Sequence, residues 1–169
     1  MMMLRTLGPS LAILLSVLVC ALPWGLPSDL RLVPPMLPYV VIHLCVERRR
    51  EATPDWLVFL AGFATDVAGQ GPLGYWALIY LSGYTMACSA GAERDSGPLA
   101  RLLLLAVTVT CLALMQWAVA SVYEFRAADL RPAVIAAAVA TAAYLLLVLA
   151  LPSPRAAPQR LNSRLERGL

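Results

Sequence analysis

Gly62-Phe63-Ala64-Thr65-Asp66-Val67-Ala68-Gly69-Gln70-Gly71-Pro72-Leu73-Gly74 places one carboxylate in an apolar run, just ahead of a break rich in glycine and proline. An ionised side chain at the centre of a membrane helix costs about 2.5–3.5 kcal/mol on insertion scales. Asp66 therefore requires a partner, a hydrogen-bond network or a task. Gly62, Asp66 and Gly69 share one helix face at a 3.6-residue period, and glycines there let a neighbouring backbone approach. Pro72 suits the first turn of a following helix, where its missing N–H costs nothing. The run reads as helix, tight turn, helix. Asp66 then has two readings: it folds over the turn to cap the next helix through that helix's unpaired N–H groups, or it serves a partner helix, as carboxylate or as protonated donor.

The surroundings set the solvent. The chain has 169 residues, of which 60% are hydrophobic and 14% charged, with a mean hydropathy of +0.74. Soluble domains are about half apolar and about a quarter charged, so the composition is that of an integral membrane protein, with residues 1–152 as a single transmembrane domain. All thirteen basic residues are arginine. Four cysteines (Cys20, Cys45, Cys88, Cys111) lie inside apolar stretches at no metal-ligand spacing and read as small hydrophobes.

Apolar runs of about 20 residues mark spanning helices. Clear ones cover Pro9–Leu26, Tyr75–Ala92, Leu99–Val122 and Ala133–Leu151, while Val33–Val46 and Trp56–Ala68 are shorter. Six spans with a cytoplasmic N-terminus put ten of the thirteen arginines inside, including Arg48, Arg49 and Arg50, and leave Arg31, Arg126 and Arg131 outside. That asymmetry follows the positive-inside rule. Trp24, Tyr75, Trp76 and Tyr123 fall near outer ends and Trp56 near an inner one, as interface aromatics do. The expected architecture is an all-α polytopic bundle with both termini cytoplasmic. A cleaved signal peptide is the competing reading of the first segment, but Ala21-Leu22-Pro23 makes a poor cleavage site. Residues 153–169 form a basic tail in which Leu161, Leu165 and Leu169 recur every four positions, either a surface amphipathic helix or a frayed end.

Few side chains here carry reaction chemistry. The lone His43 does not supply His-Glu-x-x-His, one intramembrane carboxylate does not form an aspartate dyad, and no serine turn, P-loop or dinucleotide motif is present. The expectation is a non-enzymatic protein with no metal and no cofactor. His43 and Glu47 lie four apart on one face, either a proton relay or a helix-end pair beside the arginines. Gly83, Ala87 and Gly91 form a small-residue seam for close helix contact, and Ala133–Ala143 is alanine-rich enough to pack tightly.

The run Phe59-Leu60-Ala61-Gly62-Phe63-Ala64-Thr65-Asp66 followed by Gly71-Pro72-Leu73-Gly74 resembles the rod shape-determining protein MreD family of bacteria. Chain length, the proline-marked second segment (Pro34, Pro35, Pro38), the arginines after it and the basic C-terminus are similar too. The resemblance implies a multi-pass inner-membrane component of the machinery that builds side-wall peptidoglycan. It binds the bitopic protein MreC and works with the MreB filament and the RodA–class B penicillin-binding protein synthase, with membrane lipid but no nucleic acid around it. It implies a fold similar to the substrate-binding subunits of energy-coupling-factor vitamin transporters. The residues it singles out are Gly62, Asp66, Gly71, Pro72, Leu73 and Gly74, none catalytic. An uptake subunit of that transporter type is the alternative, with Ala12, Ser16 and Cys20 as its docking face. Its substrate site needs several convergent polar groups, and the outer loops offer little beyond Gln70, Glu124 and Asp129.

Topology reporters test the six-span reading. Fusions after Arg50, Arg94 and Leu169 are expected to report cytoplasm, and fusions after Asp29, Gln70 and Asp129 periplasm. A periplasmic signal after Arg50 contradicts it.

Overall fold

The computed structural model describes residues 2–90, 98–123, 125 and 127–150, with the side chains of residues 2–7, 49, 90 and 98 outside the description. Six α-helices follow in chain order: α1 Met2–Cys20, α2 Val33–Arg49, α3 Asp55–Gly69, α4 Tyr75–Ala90, α5 Pro98–Tyr123 and α6 Arg131–Ala150. Short 3-10 turns at Ser28–Leu30 and Arg50–Ala52 precede and follow α2. No strand occurs among the described residues.

The helices close a ring. α1 packs on α3, α3 on α4, α4 on α5, α5 on α6, α6 on α2, and α2 back on α1, while α2 also meets α4 across the ring. Each helix turns a 3.6-period face inward. On α6 that face is Ala133, Ala136, Ala140 and Tyr144, so the alanine-rich stretch packs tightly on one side. On α5 it is Leu105, Val109, Leu112 and Gln116, and on α4 it is Trp76, Tyr80, Gly83 and Ala87.

The outer surface is apolar. Leu11, Leu14, Leu15 and Leu18 on α1, Leu99, Leu103 and Val107 on α5, and Leu145, Leu146 and Leu149 on α6 are all exposed. Polar side chains go inward instead: His43, Thr53, Thr65, Asp66, Thr108 and Gln116 are buried. A soluble domain has the opposite arrangement.

Three segments are long and apolar enough to cross a membrane: Ser28–Arg48, Leu99–Tyr123 and Arg131–Ala150. This redistributes the expected spans. The second segment, short in the sequence reading, extends to 21 residues because the Ser28–Leu30 turn leads into α2. Pro34 and Pro35 fall at its start, where proline is tolerated. The first run does not continue to Leu26; α1 ends at Cys20. α3 and α4 have 15 and 16 described residues, about 22–24 Å at 1.5 Å per residue, against a hydrocarbon core of about 30 Å.

The seam on α4 works inside the bundle. Gly83 is covered by the ring of Tyr39 from α2 and by Leu112 from α5, and Ala87 is buried. What the missing side chain admits is an aromatic ring, not a second backbone. Gly91 lies outside the described residues, as does the 153–169 tail with its leucine repeat.

A methyl group at Gly83 would lie 2.8 Å from both Tyr39 Cζ and Leu112 Cδ1 and closer still to Tyr39 Cε2. Gly83→Ala is therefore expected to destabilise the fold by about 1–3 kcal/mol through overpacking. Gly71→Ala, which meets open space, should stay within about 0.5 kcal/mol of the parent. Thermal unfolding of the purified protein in mild detergent compares the two.

Candidate functional site: the Asp66 joint and the buried tyrosines

α3 ends and α4 begins on the same residue. The last turn of α3 closes with Gln70 N–H donating to the Val67 carbonyl (3.4 Å) and Gly71 N–H donating to the Asp66 carbonyl (3.2 Å). Gln70 lies in the left-handed region with φ 51°. This is the Schellman pattern, which satisfies the last carbonyls of a helix. The chain then turns through Pro72–Tyr75, closed by Tyr75 N–H to the Pro72 carbonyl (3.2 Å), with Gly74 at φ +93°. A positive φ at the third position of such a turn favours glycine. Gly74 also accepts the first helical bond of α4, from Leu78 N–H at 2.9 Å.

Gly74 thus occupies the N-cap of α4 and has no side chain to cap with. Asp66 does that work from the preceding helix. Its Oδ2 accepts Gly74 N–H at 2.9 Å and its Oδ1 accepts Trp76 N–H at 2.8 Å. Both oxygens are acceptors, so the geometry is that of a cap, the first of the two readings drawn from the sequence. The carboxylate also sits where the positive end of the α4 dipole favours negative charge. Asp66 is 1% exposed, and its bond to Trp76 N–H is buried while that to Gly74 N–H is partly buried.

Gly62 makes this possible. A Cβ there would lie 2.6 Å from Ala77 N and 2.8 Å from the Trp76 carbonyl carbon, with Ala77 Cα nearer still. Only glycine lets α3 and α4 approach closely enough for one carboxylate to span them. The remaining motif residues face outward: Gly71, Pro72 and Gly74 are exposed, and Leu73 is 69% exposed at the tip. Pro72 is displaced from its expected place. It precedes the helix by three positions and serves as the first residue of the turn, because Gly74 takes the cap.

A second set of polar contacts joins the helices at other levels. Tyr80 donates to the Pro35 carbonyl in α2 and lies 3.5 Å from Thr65 Oγ1, which donates to the Ala61 carbonyl at 2.9 Å. Tyr84 donates to the Thr53 carbonyl at 3.0 Å, and Tyr75 to the Gln116 carbonyl at 3.2 Å. Tyr39 Oη lies 3.4 Å from the Gly83 carbonyl and 3.3 Å from His43 Nδ1. Tyr144 Oη lies 2.9 and 2.8 Å from the two Glu47 oxygens, while His43 Nε2 stands 3.7 Å from Glu47 Oε1, an ion-pair distance only when the imidazole is protonated.

The His43–Glu47 pair is consequently more than a helix end. It is enclosed by Tyr39 and Tyr144, with His43 fully buried. Sequence reading missed these tyrosines and Gln116. The available signal was polar-tipped residues on inward faces: Tyr144 continues Ala136 and Ala140 at four-residue steps, and a buried phenol needs an acceptor. Tyr75 and Trp76 are likewise bundle residues, half-buried and buried, while Trp24, Trp56 and Tyr123 stay exposed. No group of metal-ligating side chains occurs among the described residues.

No protein-family model, no curated protein and no solved structure matches this chain.

Asp66→Ala removes the acceptor of the buried Trp76 N–H and of the partly buried Gly74 N–H and is expected to cost about 1–3 kcal/mol. Asp66→Asn keeps one acceptor and the shape, and should lose about half as much. Denaturation of the three proteins in the same detergent checks the order; equal stability of Asp66→Ala and the parent contradicts the cap.

Proposed function

We propose that this chain is a non-enzymatic membrane component of the bacterial cell-wall elongation complex, spanning the inner membrane six times and binding MreC. The observation that carries the reading is the Gly62–Gly74 hairpin. The residues on which the MreD resemblance rests are those that form one mechanical unit, a close helix crossing at Gly62 locked by Asp66. A family hallmark with a structural task fits a scaffold whose output is shape and contact.

Two further features support it. Asp66, Tyr75, Tyr80, Tyr84 and Tyr144 join helices or their links through directed hydrogen bonds. The outer faces present leucine, valine and phenylalanine, including the stacked pair Phe59–Phe63 with ring centroids 6.2 Å apart on α3. A protein built this way meets lipid and partner helices through van der Waals contact, as membrane helices do. The 15-residue α3 crosses in this reading by drawing the bilayer thinner around the bundle, a modest cost per ångström of mismatch. MreB and the RodA–class B penicillin-binding protein synthase are reached through MreC.

Co-purification from cells in mild detergent tests the assignment. A tagged copy is expected to bring down MreC, and depletion to turn rod-shaped cells round and lytic. Recovery of an ATPase pair instead, with growth of depleted cells rescued by one vitamin, would favour the uptake-subunit reading.

A further inference from the structure

At the end of the bundle that carries the α3–α4 turn, a cavity of about 360 Å³ opens between the Ser28–Leu32 segment, the start of α4, the end of α5 and the α5–α6 link. Its wall includes Asp29, Arg31, Tyr75, Gln116, Trp117 and Asp129. Gln116 is the unusual member. It is 1% exposed, and neither its carboxamide oxygen nor its nitrogen makes a hydrogen bond of good geometry, the Tyr75 hydroxyl being the nearby polar group. Its backbone carbonyl is already taken by Tyr75, and the neighbouring Trp117 indole is spent on the Ala128 carbonyl at 2.8 Å. A buried amide without partners is rare and calls for a bound group to complete it.

The charged residues define what that group is. The Arg31 guanidinium forms no ion pair among the described residues. Asp29 receives only the Ser28 hydroxyl at 3.3 Å, and Asp129 Oδ1 receives Arg131 N–H at 3.0 Å, so both carboxylates keep acceptor capacity. One guanidinium, two carboxylates and a buried carboxamide line the cavity. The volume is roughly twelve times that of one liquid water and falls in the range of small-molecule sites.

We propose that this cavity binds a small zwitterion: Arg31 takes its carboxylate or phosphate, Asp29 and Asp129 take its ammonium, and the Gln116 carboxamide bonds the polar linkage between them. Two sources share this chemistry, a free short peptide or amino-acid-like solute and the phosphoethanolamine head of a neighbouring lipid. The site does not depend on the elongation-complex assignment.

Calorimetric titration of the purified full chain in maltoside with glycylglycine and with O-phosphoethanolamine tests it, with native mass spectrometry of retained phosphatidylethanolamine as the lipid arm. Saturable binding of glycylglycine assigns a soluble ligand. Retained phosphatidylethanolamine without glycylglycine binding assigns the lipid head. In both cases Arg31→Gln and Gln116→Leu should weaken binding at least tenfold, with circular dichroism unchanged. Arg31 and Asp129 are exposed, so Arg31→Gln and Asp129→Asn keep the test alive should Gln116→Leu misfold. Absence of binding in both arms, equal binding of uncharged N-acetylglycinamide, or binding undiminished in Arg31→Gln overturns the proposal.

Discussion

One carboxylate holds two helices to a fixed angle. Asp66 gives its main-chain carbonyl to the closing turn of α3 and both side-chain oxygens to the opening turn of α4. Helix ends leave four backbone groups each without intrahelical partners, and Asp66 takes two of those at the start of α4. A short turn such as Gln70–Gly74 has few groups of its own to offer. Concentrating the task in a buried side chain removes the need for a polar loop and keeps this end of the bundle narrow. The position of α4 follows, and with it the ring contacts that α4 makes to α2 and α5.

From α4 the order spreads through hydroxyl groups. Tyr75, Tyr80 and Tyr84 reach α5, α2 and the link after α2, so one helix fixes three neighbours at three levels. Tyr39 returns the contact by filling the notch at Gly83, and Tyr144 brings α6 to Glu47. Burying apolar surface does not by itself hold helices together in lipid, whose tails are as apolar as leucine. Shape at Gly62 and Gly83 and these directed bonds supply the specificity that hydrophobic burial supplies in water.

The helical class and the helix–turn–helix around Asp66 were legible from the sequence, and capping was one of the two roles it left open, because a lone carboxylate in an apolar run has few physical outlets. The close approach at Gly62 was legible too, from its shared face with Asp66, but Gly69, read on the same face, meets open space. Span lengths were less so. Hydropathy does not register that the Ser28–Leu30 turn lengthens the second segment, or that α1 stops at Cys20. Pro72 was misplaced by the general preference of proline for the first helical position, which Gly74 overrode by occupying the cap with a positive φ. The tyrosine contacts and the Gln116 cavity depend on which faces meet across the ring, and a single chain's periodicity does not give partners.

Amide hydrogen exchange resolved to single residues across Leu73–Trp76 tests the Asp66 joint most directly. The Gly74 and Trp76 amides are expected to exchange as slowly as those inside α3 and α4, while the adjacent Leu73 amide at the exposed tip exchanges fast. Gly74 and Trp76 exchanging as freely as Leu73 would contradict it, since the carboxylate would then not be holding the start of α4.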